Sequence, residues 1–231
     1  MDITWLGHAA VRVRARQAAL VMDPTDRSAG LDMARPAADI VTISRVGHPH
    51  HNHVKGVKGD PIVVEGPGEY EIQGIQIEGV RALWPSEPAE DAEAGTTGDT
   101  DSGVSEPPNP PEATTLYVCQ AEDLRFAHLG GLGQPPTTAQ SEALAGVDIV
   151  IIPIALPGGL DPEGAARVAR AIEPKMVIPV GYRLSASGES EDLSAFLEAI
   201  GGDPEAAVSR LTLNRRNLGD TRRITLLESR G

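Results

Sequence analysis

Ala38-Asp39-Ile40-Val41-Thr42-Ile43-Ser44-Arg45-Val46-Gly47-His48-Pro49-His50-His51-Asn52-His53 is the stretch on which the reading of this chain turns. Ile40–Ile43 is a β-branched run, which predicts a strand covered on both faces. Four of the six histidines follow within ten residues of its end. His48, His50, His51 and His53 thus stand past the C-terminal end of a buried strand, where α/β folds place their sites. Neutral imidazole is the commonest metal ligand, and several on one tight loop reach a single ion with little chain-closure cost. A solvated polar loop is the plain alternative. His48-x-His50-x-Asn52-His53 also has the spacing of His-x-His-x-Asp-His, which holds two ions side by side, with the weaker, neutral ligand Asn in place of Asp.

Short strands are predicted on both sides of this stretch. Ile3–Leu6, Val11–Val13 and Ala19–Met22 precede it. Ile62–Glu65 and Ile75–Val80 follow, with Gly66-Pro67-Gly68 as a turn between them. Leu116–Val118 and Leu124–Ala127 read as a pair joined around Glu122-Asp123. The last third changes period. Helices are predicted over Thr138–Leu144, over Glu163–Ile172 behind the cap Asp161 and the first-turn Pro162, and over Ser190–Ile200. Buried strands are predicted at Val147–Pro153 and Met176–Pro179, and a last strand at Arg223–Leu227.

Composition excludes several classes. The 231 residues are 40% hydrophobic but only 3% aromatic, so aliphatic side chains must build the core. Lys+Arg number 20 against Asp+Glu 33, a net charge of −13. That charge argues against a diffuse grip on nucleic acid or anionic lipid. Cys119 is the one cysteine, so neither an internal disulfide nor a cysteine-based zinc site is available. No apolar run approaches the roughly 20 residues that span a bilayer. Asp2 stands where a signal peptide needs a basic start. The expected class is a soluble, cytoplasmic α/β protein of one domain over residues 1–231. Pro85–Ala113 breaks the rhythm, with eight acids, no Lys or Arg, and five prolines beyond Pro85. Such a segment cannot bury enough apolar surface to offset its ordering entropy, and is expected to be a disordered acidic insertion.

The chain resembles the metallo-β-lactamase superfamily, and within it the L-ascorbate-6-phosphate-lactonase-like branch of Zn-dependent hydrolases. The resemblance rests on Ile3-Thr4-Trp5-Leu6-Gly7-His8, Met22-Asp23-Pro24, Ala38–Ser44, Gly66-Pro67-Gly68-Glu69-Tyr70-Glu71-Ile72, His128-Leu129-Gly130-Gly131-Leu132-Gly133 and Pro174-Lys175-Met176-Val177-Ile178-Pro179. It covers most of the chain outside the acidic insertion. It implies an α/β fold, an αββα sandwich with metals at one edge.

The same resemblance exposes departures. Aligned on His-Pro-x-His-Asn, His48 takes the second ligand histidine, His50 the aspartate and His51 the third histidine, while Val46 replaces the first. The bridging aspartate position is Gly131, and the last histidine position is Gly181. Where a further histidine is expected, the residues are Leu83-Trp84-Pro85. His8 and His128 match positions outside the direct ligand set. A dinuclear hydrolase needs a bridging carboxylate and ligands holding two ions about 3.5–4 Å apart. The resemblance with these losses implies a dismantled dinuclear site, no tightly held cofactor and no assignable catalytic residue. The cleft then serves as a pseudoenzyme or scaffold for a small molecule, or the acidic loop for a protein partner. The alternative is an active hydrolase of lactone, ester or phosphoester substrates, with one Zn or Mn ion at His48–His53.

Overall fold

The computed structural model describes residues 1–84, 112–185 and 188–229. Its strands are β1 (Asp2–Gly7), β2 (Ala10–Arg14), β3 (Ala19–Met22), β4 (Ile40–Ile43), β5 (Ile62–Glu65), β6 (Gly68–Ile72), β7 (Ile75–Trp84), β8 (Glu112–Ala121), β9 (Leu124–His128), β10 (Ile149–Pro153), β11 (Met176–Val180), β12 (Glu205–Val208), β13 (Leu211–Thr212) and β14 (Arg223–Leu227). Three helices join them: α1 (Thr138–Leu144), α2 (Pro162–Ile172) and α3 (Glu191–Ile200). One sheet has the order β13-β1-β2-β3-β4-β5, the other β12-β14-β11-β10-β9-β8-β7-β6.

A single apolar cluster joins the sheets. Ile3, Trp5, Val13, Leu20 and Ile40 of the first share it with Ile77, Leu116, Phe126, Ile151 and Ile178 of the second. Period-two alternation divides β4 between two cores. Ile40 belongs to this inner cluster, whereas Val41 and Ile43 pack with Leu6, Met33, Ala38 and Val57 on the other side of the sheet. That explains why all four β4 residues are buried. In α2 the Asp161 carboxylate accepts the Gly164 N–H and Pro162 opens the first turn. Its buried Ala165, Ala166, Val168 and Ala169 make the apolar stripe of a helix lying on a sheet.

Two expectations are corrected. Glu112 and Ala113, read above as the end of the acidic insertion, begin β8 and pair with Trp84 and Leu83 of β7. The rest of that expected insertion, residues 85–111, lies outside the described residues. Both β7 and β8 outrun their apolar cores, because antiparallel pairing carries the ladder through Arg81↔Thr115 to Trp84↔Glu112. Among the described residues no helix is long and apolar enough to cross a membrane.

Parallel pairing positions the site. β3 pairs with β4 through Met22↔Thr42, β9 with β10 through His128↔Ile151, and β10 with β11 through Pro153↔Val180. The segments Asp23-Pro24, Ser44–His53, Leu129–Gly131 and Gly181 therefore leave the C-terminal ends of these parallel strands.

Candidate active-site cleft

Asp23 is fully buried at the end of β3 with a left-handed backbone, φ 48°. Its Oδ1 accepts the Ser44 N–H at 2.7 Å, and its Oδ2 accepts the Ser44 hydroxyl at 2.6 Å. His51 Nδ1 lies 3.0 Å from the same Oδ2, and His128 Nδ1 lies 3.8 Å from it. Burial alone would raise the Asp23 pKa. His51, His128 and the Ser44 hydroxyl outweigh burial and hold the carboxyl below its ordinary range. The carboxylate therefore accepts from His51 Nδ1 and fixes the orientation of that ring, as a carboxylate orients a ligating histidine. His128 Nε2 sits 2.9 Å from the Ala9 carbonyl, and burial keeps this ring neutral.

Around His51 the imidazoles close a four-membered ring. Centroid distances are 5.0 Å for His8–His50, 5.2 Å for His50–His48, 5.3 Å for His48–His51 and 5.6 Å for His51–His8. His50 Nε2 is also 2.9 Å from the Ser28 hydroxyl. Burial, with His51 and His50 adding repulsion, lowers the His8 pKa to about 3. Burial and then the Arg45 charge lower that of His48 to about 4. Both rings are neutral at pH 7.

Stability is therefore expected to fall on acidification. Below the ordinary value of 6.5 the unfolded chain takes up protons that folded His8 and His48 exclude. Their contribution is complete above that pH and is lost as pH falls toward the folded values, at most about 1.4 kcal/mol per pH unit for each excluded proton. Urea midpoints measured between about pH 7.5 and pH 5 check this. A midpoint that stays level or rises over that interval would contradict it.

His48, His50 and His51 are brought together, and His53 is not. A Cβ placed on Gly56 would strike the His53 ring and the Met33 methyl, so that imidazole packs at Gly56 beside Met33. Among the described residues no group of three or more His, Cys, Asp and Glu side chains is arranged to hold a metal ion.

The three altered positions have distinct surroundings. Val46 is 64% exposed. A Cβ on Gly131 would meet Thr114 Oγ1, and would lie 2.9 Å from Arg45 Cγ. Gly181 has φ 72°, and a Cβ there would lie 2.9 Å from Leu156 Cδ2 and 3.1 Å from Pro153 Cβ. Gly130 is the tightest neighbour of the buried network, since a Cβ there would collide with Asp23 Oδ2 and come within 2.8 Å of Ser44 Oγ.

Two further residues shape the cleft. Trp84 is almost fully buried, and its ring lies 6.5 Å from that of His51. Arg45 is buried too, with its guanidinium carbon 4.1 Å above the Trp84 ring centroid. Its Nη2 donates to Glu112 Oε2 at 2.9 Å. Sequence reasoning treated position 84 only as the place of a missing histidine and gave Arg45 no role. Tyr182, beside Gly181, stacks against Trp5 with centroids 4.9 Å apart.

Residues 2–181 match the model of the beta-lactamase superfamily domain. The chain belongs to the metallo-β-lactamase superfamily. A UPF0173 metal-dependent hydrolase of Methanopyrus kandleri is 25% identical over 237 residues, covering 90% of this chain and 96% of that relative. A superfamily protein of Thermotoga maritima described as a Zn-dependent hydrolase superposes with a TM-score of 0.72 at 25% identity, covering 99% of each chain. A metallo-β-lactamase-fold protein of Bacillus subtilis shares the fold at 9% identity, with a TM-score of 0.59 over 100% of this chain and 97% of the other. This superfamily member is thus built on the scaffold of metal-dependent hydrolases.

Proposed function

We propose that this chain is a metallo-β-lactamase-fold protein in which the two-metal centre is not assembled, and that its cleft binds a ligand without hydrolysing it. The observation that carries the reading is Arg45. Its buried side chain passes the position of the missing bridging carboxylate, Gly131, and sets a permanent positive charge above Trp84. A guanidinium has no lone pair to offer a metal ion and repels one electrostatically. Two metals would also need ligands from several strands, fixed by further hydrogen bonds. The cleft's imidazoles come from two short loops, and the Asp23 carboxylate is already engaged by Ser44 and His51. The donor set does not suit a dinuclear centre.

The test is the metal content of untagged protein, purified without chelator and dialysed exhaustively. The expected result is well under one ion per chain. Two tightly held ions would overturn the proposal.

A second reading has one observation in its favour, the closed ring of imidazoles at His8, His48, His50 and His51. These imidazoles would have to shift to hold an ion, and a single borderline-soft one is then a better match than a pair. In that case added Zn²⁺ or Mn²⁺ elicits hydrolysis of a lactone, ester or phosphoester. No turnover across such a panel, with the ion shown to be bound, would count against it.

A further inference from the structure

Among the described residues, the buried Arg45 Nε has no hydrogen-bond partner. A buried N–H without an acceptor is unfavourable, so the corner calls for an acceptor-rich group. The protein already supplies part of one, since the Glu112 carboxylate sits 2.9 Å from Arg45 Nη2. That carboxylate is 66% exposed, whereas the Arg45 side chain is 6% exposed. A solvated carboxylate holds such a pair weakly and exchanges readily. Beside it opens a cavity of about 520 Å³ whose walls include Ser44, His48, Arg81, Glu112, Thr114 and Thr115. That volume admits a small organic molecule and exceeds what a lone ion needs. Arg81 adds a second cation to the wall and makes no ion pair among the described residues.

We infer that the corner formed by Arg45, His48 and Trp84 is an oxyanion site, which takes the carboxylate or phosphate group of a small organic ligand in exchange for the Glu112 carboxylate. The inference rests on the metal-free reading above. Arg45 presents the fork, the Trp84 face fixes its plane by cation–π contact, and His48 lies beside both Arg45 and Glu112. The remainder of the ligand occupies the cavity, with Arg81 at a second acidic group. The exchange is one carboxylate leaving the guanidinium as another oxyanion arrives, with no covalent step.

The experiment uses the full chain, with metal content measured on the same sample. Inorganic phosphate and malonate are titrated separately at ionic strength held constant with sodium chloride. Tryptophan fluorescence is the readout, because Trp84 lies under Arg45 whereas Trp5 is buried against Tyr182. A saturable response to at least one probe is expected, and the stronger of the two identifies the head group. Removing the internal competitor with Glu112→Gln is expected to tighten binding about threefold to fivefold. Arg45→Lys keeps the charge and loses the fork, and is expected to weaken binding about tenfold. Glu112→Gln is a surface change that leaves the fold intact, so it tests the site even if the Arg45 variant unfolds. Equal affinity in the parent and in Glu112→Gln would overturn the site. So would the lack of any saturable response in a metal-free sample. Two ions per chain would instead overturn the metal-free reading beneath it.

Discussion

Asp23→Ala is expected to lower the unfolding free energy by about 3–5 kcal/mol, measured by urea denaturation at neutral pH. The carboxylate is a buried acceptor for the Ser44 N–H, the Ser44 hydroxyl and His51 Nδ1. Truncation strands all three and leaves a cavity no apolar group fills. Alanine must also adopt the left-handed backbone, which Asp and Asn tolerate better because their short polar side chains hydrogen-bond locally. Asp23→Asn tolerates that backbone and retains one acceptor, so a smaller loss of about 1–3 kcal/mol is expected. The Asp23 pKa is depressed in the fold, so its stabilisation is present above the ordinary carboxylate range near pH 4. It is lost as pH falls through the folded value. If Asp23→Ala unfolds at the parent's urea midpoint, the buried network contributes nothing and its role as the organiser of the cleft is wrong.

The second large effect concerns reconstruction. Gly131→Asp combined with Gly181→His puts back the two side chains that the superfamily resemblance implies are missing. The pair is expected to lose about 2–4 kcal/mol of stability and to recruit no metal pair. At position 131 the new Cβ meets the Thr114 hydroxyl and Arg45 Cγ. The added carboxylate then lies beside a guanidinium and is drawn to it in preference to a cation in solution. At position 181 histidine must take a positive φ while pressing on Leu156 and Pro153. Thermal melts and metal analysis of the double variant decide the matter. A variant as stable as its parent that holds two ions per chain would mean the vacancies are open, contrary to the packing around them.

Local chemistry made much of the fold legible. Ile40–Ile43 and Thr138–Leu144 are read at their observed bounds, and α2 differs only by including the first-turn proline. In each case the signal lies inside the element, as β-branching or as a cap with a helical stripe. β7 and β8 were read short, because Arg81–Trp84 and Glu112–Thr115 owe their strand conformation to each other rather than to a continuous apolar run. β12 and β13 were missed, since Glu205–Val208 is a short, mostly exposed strand paired only with β14, and Leu211–Thr212 is two residues long. The site divides the same way. His48, His50 and His51 share a loop, so their proximity was readable. His8 joins them from the turn after β1, and its membership depends on how the first sheet folds over that loop. The phrases containing His8 and Asp23 were noticeable, but nothing in one sequence says that Asp23 meets Ser44 or that Arg45 lies across Trp84.

Trp84 and Glu112 form the final rung of the β7–β8 ladder, and both touch Arg45, one through its ring face and the other through its carboxylate. The last rung of the hairpin thus meets the cleft at a single guanidinium. The strand ends that flank the segment outside the described residues are thereby held opposite each other. A change at either stem position is felt at the guanidinium between them, by loss of a ring face at Trp84 or of a competing charge at Glu112.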